Sequence, residues 1–360
     1  MTFTATLARL SGSLRVRPGQ QPAIVGSRPA LAATLLRGQP PQTAAHHLPL
    51  LYSLCGQAHR LTAELAVNTA LHGETPIDPN AQRMLEAETR REHLRRMLLE
   101  WPQLLGNPPV RPDLSQLHAW EHAPQQAMQA WLGESVAQWL EQWDAEPFGA
   151  LNDWSQRSAH WLAHALADCR DEAHALQLPV HALSLAGNSQ ALHAVAEQLR
   201  QASDFALHPL ALGLPCETGS WTRECEADPQ RYASVWLRLG ARLAELARLS
   251  LLQPTGLAFG ALALGPNEAL AWSETSRGLL LHRVCLERMN AGVLISDYQV
   301  IAPTEWNLHP QGTLAQGLAK LSASDPRTRR RAELLIAAFD PCIGFTLELE
   351  AAPSEEIIHA

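Results

Sequence analysis

Residues 54–65 read LCGQAHRLTAEL, with Cys55 and His59 four positions apart. Four positions make about one helical turn, so a helix that has begun here stacks both side chains on one face. From Pro49 to Leu71 the chain reads as a loop feeding a helix, because Leu61, Leu65 and Leu71 recur at helical spacing with alanines between them. The same periodicity extends outward. Leu31, Leu35 and Leu36 precede a break at Gly38-Gln39-Pro40-Pro41, and Asn80 to Trp101 is a charged amphipathic helix ended by Pro102 and Gly106. Trp120, Trp131, Trp139, Trp143, Trp154 and Trp161 then follow among Ala, Leu, Gln and His. Trp139 and Trp143 share a helix face, and the set reads as core packing. A helix to about Ser203, a Gly/Pro-rich segment over 208–220 and a helix over 229–252 come next, and short strands and turns run on to Tyr298. At the other end, the first 28 residues alternate apolar and polar around Arg17-Pro18-Gly19-Gln20, the pattern of a two-stranded hairpin.

The expected fold is therefore α-rich (α+β), a helical bundle with small β elements. One domain is expected over 1–360, with the hairpin in 1–28, a helical part in 29–205 and a mixed part in 206–360. With 360 residues, 46% hydrophobic and 18% charged, the chain can bury a large core. A net charge of −8 argues against a nucleic-acid partner, which calls for an excess of Lys and Arg. The six cysteines are scattered with no CxxC pair, as in a reduced intracellular protein. No apolar core of signal-peptide length precedes Arg9, and Glu245, Arg248, Gln253 and Pro254 interrupt the longest apolar stretch, Leu243 to Leu264. A cytoplasmic chain without a membrane partner is expected.

Three further segments carry chemistry. SETSRG places Glu274 and Arg277 before Gly278, APTEWN places Thr304 after Pro303, and AFDPCIGF places Asp340 and Cys342 around Pro341. Taken singly, each is a buried thiol, a salt bridge or a turn more often than a site. Their order and wording together resemble the large subunit of [NiFe] hydrogenases over most of the chain. The family's opening RIEGH-L-R is matched by residues Arg9 to Arg15, and its first CxxC falls on Tyr52-Ser53-Leu54-Cys55, with His59 where a family histidine belongs. ETGPLAR is similar to Glu217 to Arg223, EAPRG to Glu274 to Gly278, and YQ-x-V-x-PTTWN to Tyr298 to Asn307. The closing DPCxxCxxH is matched by Asp340 to Glu348.

The departures are as informative. Tyr52 and Phe345 replace two of the four metal cysteines, and nickel needs the soft sulfur ligands that those replacements remove. Ser11 stands where the family places a proton-relaying carboxylate, which a hydroxyl cannot replace near neutral pH. Glu348 replaces the final histidine and 12 residues follow it, so the C-terminal processing that seals a mature large subunit is not expected. The resemblance thus implies a degenerate relative of the HupK and HoxV maturation type, not an enzyme, binding no nickel. It implies a scaffold that assembles or holds an Fe(CN)2(CO) unit before transfer to the apo large subunit. Cys55 and Cys342 would be the iron ligands. Arg277 and Thr304, with Pro303 and Asp340 beside them, would contact the cyanides, and His59 would donate to the Cys55 sulfur. Cys342 falls at a nickel-only position, so iron bound by both thiols would sit displaced from its place in the enzyme. The implied partners are the small chaperone and the iron-loading protein of the Hyp machinery and the apo hydrogenase large subunit.

Other readings stay open on sequence grounds. The same ancestry allows a non-catalytic structural or quinone-pocket subunit, and two cysteines allow a much reduced hydrogenase site. Cys216, Cys225 and His208 could hold zinc, although their spacing matches no common zinc pattern. The run Arg327-Thr328-Arg329-Arg330-Arg331 could dock an acidic partner or form a solvated helix face.

Overall fold

The computed structural model describes residues 12–27, 29–111, 113–202, 204–224, 228–253, 256–290 and 292–349. Strands β1 (Ser13–Val16) and β2 (Ile24–Ser27) pair antiparallel, as the alternation requires. A third strand, β7 (Gly344–Leu347), comes from the far end of the chain and pairs parallel with β1, Leu14 opposite Phe345. Sequence reading did not assign this strand, since four residues carry too little pattern to separate it from a loop. The Glu348 N–H donates to the Val16 carbonyl at 2.8 Å, and its carboxylate lies 3.8 Å from Arg15 and 3.9 Å from Arg17. Arg9, Leu10 and Ser11 of the opening motif lie outside the described residues.

Helix α1 (Thr43–Leu51) holds Pro49 in its last turn, so the expected loop at Pro49 is helical. Proline removes one intrahelical hydrogen bond, and near the end of a short helix that loss is small. The chain then makes a single tight turn, Ser53–Cys55, before α2 (Gly56–His72). Cys55 is the N-cap residue of α2, and the helix is buried over most of its surface, Ala58, His59, Leu61, Thr62, Ala63 and Leu65 included. Helix α3 (Pro79–Leu99) opens where Asp78 accepts the Asn80 N–H and Pro79 occupies the first helical position. Pro102 enters the short helical turn Trp101–Leu104 that follows, rather than closing the chain into a loop.

The central helix is α4 (Val235–Leu249), shorter than the expected 229–252 because Pro229–Ala233 forms a separate tight turn. Every residue from Val235 to Ala247 is buried. The tryptophans pack where predicted: Trp139 and Trp143 stack with centroids 5.7 Å apart, and Trp154 is fully buried beside them. Gly240 of α4 allows this contact, because a Cβ there would come within 2.7 Å of the Trp143 ring. Four strands follow as an antiparallel meander, β3 (Phe259–Gly265), β4 (Glu268–Thr275), β5 (Gly278–Met289) and β6 (Gly292–Ile301). Helix α2 lies against β3, β4 and β5 of this sheet. The chain closes with α5 (Pro303–Asn307), Thr313–Ala319, α6 (Thr328–Phe339) and β7. Among the described residues no helix is long and apolar enough to cross a membrane.

Candidate functional site

Cys55 and Cys342 stand 287 positions apart in sequence. Cys55 caps the start of α2 and is buried; Cys342 is half-buried, two residues past the left-handed Asp340 that ends α6. Between them in sequence, the two-residue turn Ser276-Arg277 joins β4 to β5. The Arg277 side chain is 3% exposed. Its Nη2 donates to Glu92 Oε2 at 3.2 Å and its Nε to the Asp340 carbonyl at 3.2 Å, with the Asp340 carboxylate 3.5 Å away. Burial works against its charge, but Asp340, Cys342, Glu92 and Cys55 together outweigh burial and hold the guanidinium charged. Arg277 Nη1 is buried with no hydrogen-bond partner among the described residues.

Thr304 comes from α5, where Pro303 occupies the first helical position and fixes the entry. Its hydroxyl lies 2.7 Å from the Cys342 sulfur. Asp340 sits behind this group. Arg96 Nε is 2.6 Å from its carboxylate, and Arg242 and Arg277 each approach to 3.5 Å. Burial raises its proton affinity, yet these guanidiniums outweigh burial and keep the carboxyl below the usual range. Its carboxylate is thus engaged by arginines, and it positions Arg277.

Three of the sequence motifs are tied by one side chain. Asn307 Oδ1 accepts the Thr218 N–H at 2.8 Å, while Nδ2 donates to the Thr218 carbonyl at 2.8 Å and the Arg277 carbonyl at 3.2 Å. Thr218 in turn accepts the Leu279 N–H at 2.9 Å. Gly278 has φ +127°, and a Cβ there would overlap the Thr218 side chain. Arg223 reaches Glu245 at 2.6 Å and Glu274 at 3.5 Å, so the first and last residues of these motifs also meet.

His59 bonds through Nδ1 to His282 Nε2 at 3.0 Å, and His282 Nδ1 meets the Tyr298 hydroxyl at 2.8 Å. Tyr52 stacks on His59 with centroids 4.0 Å apart and planes within 6°. His282 and Tyr298 escaped sequence reasoning. His282 is hidden in the apolar run LLLHRV, and Tyr298 was only a motif letter. Arg96, Arg242 and Glu92 were also missed, because helical periodicity reads such residues as surface.

The rival sites fare differently. Cys216 is half-buried and Cys225 lies outside the described residues. Among the described residues no three His, Cys, Asp or Glu side chains are grouped to hold a metal ion. Arg327 and Arg331 pair with Asp325, Arg331 also lies 3.3 Å from Glu172, and Arg330 donates to the Leu104 carbonyl, so much of that run is used internally.

No family model matches the chain. Solved structures that superpose on this chain include hydrogenases. The [NiFeSe] hydrogenase of Desulfovibrio vulgaris Hildenborough superposes with a TM-score of 0.55 at 15% identity, over 89% of this chain and 92% of that one. The Dm. baculatum [NiFeSe]-hydrogenase gives 0.54 at 13% identity, over 88% and 92%. The fold is that of the large subunit of [NiFe]-type hydrogenases. Sequence relatives narrow the class. The hydrogenase expression/formation protein HoxV of Cupriavidus necator is 42% identical, with 98% of each chain covered. HupK of Bradyrhizobium diazoefficiens is 30% identical, with 91% of each covered. The chain belongs to the HoxV and HupK family of hydrogenase expression/formation proteins.

Proposed function

We propose that this chain is a non-catalytic maturation scaffold that assembles or holds an Fe(CN)2(CO) unit and passes it to the apo large subunit of a [NiFe] hydrogenase. The reading rests above all on the buried Arg277 guanidinium, whose charge Cys342 and Cys55 both favour and whose Nη1 has no hydrogen-bond partner among the described residues. Two soft thiolates suit a low-spin iron carrying carbonyl and cyanide. Each thiol must lose its proton to bind, and the Thr304 hydroxyl is placed to donate to the resulting Cys342 thiolate. Bound cyanide presents an electron-rich nitrogen, and Arg277 Nη1 is a charged donor for it. Tyr52 and Phe345 leave no four-sulfur set for nickel. The partners that fit this role are the small chaperone and the iron-loading protein of the Hyp machinery and the apo large subunit, all met in the cytoplasm.

Infrared spectroscopy tests the proposal, on full-length protein purified anaerobically from cells that express the maturation machinery. Cyanide and carbonyl stretches should appear in the wild type. They should vanish in Cys55→Ala and Cys342→Ala and persist in Cys169→Ala and Cys285→Ala. Equimolar nickel, hydrogen uptake, or four variants that behave alike would overturn it.

A further inference from the structure

We infer that one face of helix α3 positions both cysteine segments of the site, and that Glu88 is the residue that does so for Cys55. Met84, Glu88, Glu92 and Arg96 recur every four positions along α3, so they form a stripe on one side of the helix. Each four-residue step rises about 6 Å along the axis. Each charged residue of the stripe grips a different segment of the chain.

Glu88 holds the start of α2. Its Oε1 accepts the Gln57 N–H at 2.8 Å and its Oε2 the Ala58 N–H at 2.9 Å. Both amides belong to the first turn of α2, where backbone N–H groups have no acceptor within the helix. Cys55, the N-cap residue, supplies no side-chain cap bond. The cap comes instead from another helix. A carboxylate with one oxygen on each of two successive amides fixes both the place and the rotation of that turn. One step earlier on the stripe, Met84 Sδ accepts the Gln57 side-chain amide at 3.4 Å. One step later, Glu92 Oε2 accepts Arg277 Nη2 at 3.2 Å. At the last step, Arg96 Nε lies 2.6 Å from the Asp340 carboxylate.

Gln57 stands two residues after Cys55, and Asp340 two residues before Cys342. The stripe thus meets the chain beside each cysteine and at Arg277 itself. Charges drawn out of water are costly unless bonded, so these three partnerships hold the segments in one register. Glu88, Glu92 and Arg96 are positioning residues. That the sulfurs so placed serve an iron unit rests on the scaffold reading; the placement does not.

Hydrogen–deuterium exchange on the full-length protein without cargo tests the placement, read by mass spectrometry segment by segment. The single acceptor oxygen of Glu88→Gln can hold only one of the two amides. It should speed exchange over residues 53–60 about tenfold and leave 340–347 little changed. Arg96→Lys should do the reverse. No change over 53–60 in Glu88→Gln, or both segments loosening together in either variant, would overturn the inference. If Glu88→Gln does not fold, Glu88→Asp, a carboxylate one methylene shorter, takes its place with the same expected result. In the loaded protein Glu88→Gln should weaken the cyanide bands with both cysteines present, whereas Asp78→Ala, which removes the cap of α3 itself, should keep them. Bands unchanged by Glu88→Gln would overturn the positioning role. Bands missing from the wild type would count against the scaffold reading and leave the exchange result to decide this one.

Discussion

Arg277 combines two roles that a shorter cation could not. Its Nε and Nη2 are spent on Asp340 and Glu92, which fix the plane of the fork, and the remaining Nη1 is buried with no hydrogen-bond partner among the described residues. A lysine keeps the charge opposite Asp340 but lacks the planar fork. Arg277→Lys should therefore keep its urea midpoint near wild type while cargo retention falls about ten- to a hundredfold. That corresponds to about 1.5–3 kcal/mol for one charge-assisted hydrogen bond. The cyanide band intensity per protein measures it. Unchanged bands would reduce Arg277 to a structural partner of Asp340.

The β4–β5 turn and α5 act as one unit, because Asn307 bonds to both Thr218 and the Arg277 backbone. Gly278 is where this unit tolerates no extra atom. A comparison with Gly292 isolates the contact: its φ is +131°, close to the +127° of Gly278, but a Cβ at Gly292 meets nothing within 4 Å. Both alanine variants carry the backbone strain, and only Gly278→Ala adds the overlap with Thr218. Gly278→Ala should be less stable than Gly292→Ala by about 1–3 kcal/mol, the usual cost of overpacking. Equal urea midpoints would show that the turn yields to the extra methyl.

Taken as a whole, the protein buries titratable groups that acid will unsettle. His282 is held near 3 by burial, whereas an unfolded histidine titrates near about 6.5. As pH falls below that value the unfolded chain takes up the proton first, so stability is full above it and declines toward 3. Between pH 7 and pH 5 the loss from this one side chain should be about 2 kcal/mol. Asp340 acts in the same direction but in a lower pH window. Its carboxyl is depressed, so its contribution persists through this window and is lost only as pH falls well below the usual carboxylate range. Urea unfolding at the two pH values should show a steeper drop for wild type than for His282→Gln. The same drop in both would mean that His282 protonates without unfolding the chain.

Much of this was legible from one dimension. Helical periodicity located α2, α3 and the tryptophan core, because apolar spacing follows directly from which face of a helix avoids water. Six short motifs in order pointed to the hydrogenase large-subunit fold and to Cys55, His59, Arg277, Thr304 and Cys342, since backbone turns and soft ligands depend on residue type. Partnership was not legible. The parallel pairing of β7 with β1, the His59–His282–Tyr298 chain and the arginines gathered on Asp340 join residues up to hundreds of positions apart. No local pattern encodes such pairs, because a buried polar group is satisfied only by whatever the folded chain brings beside it.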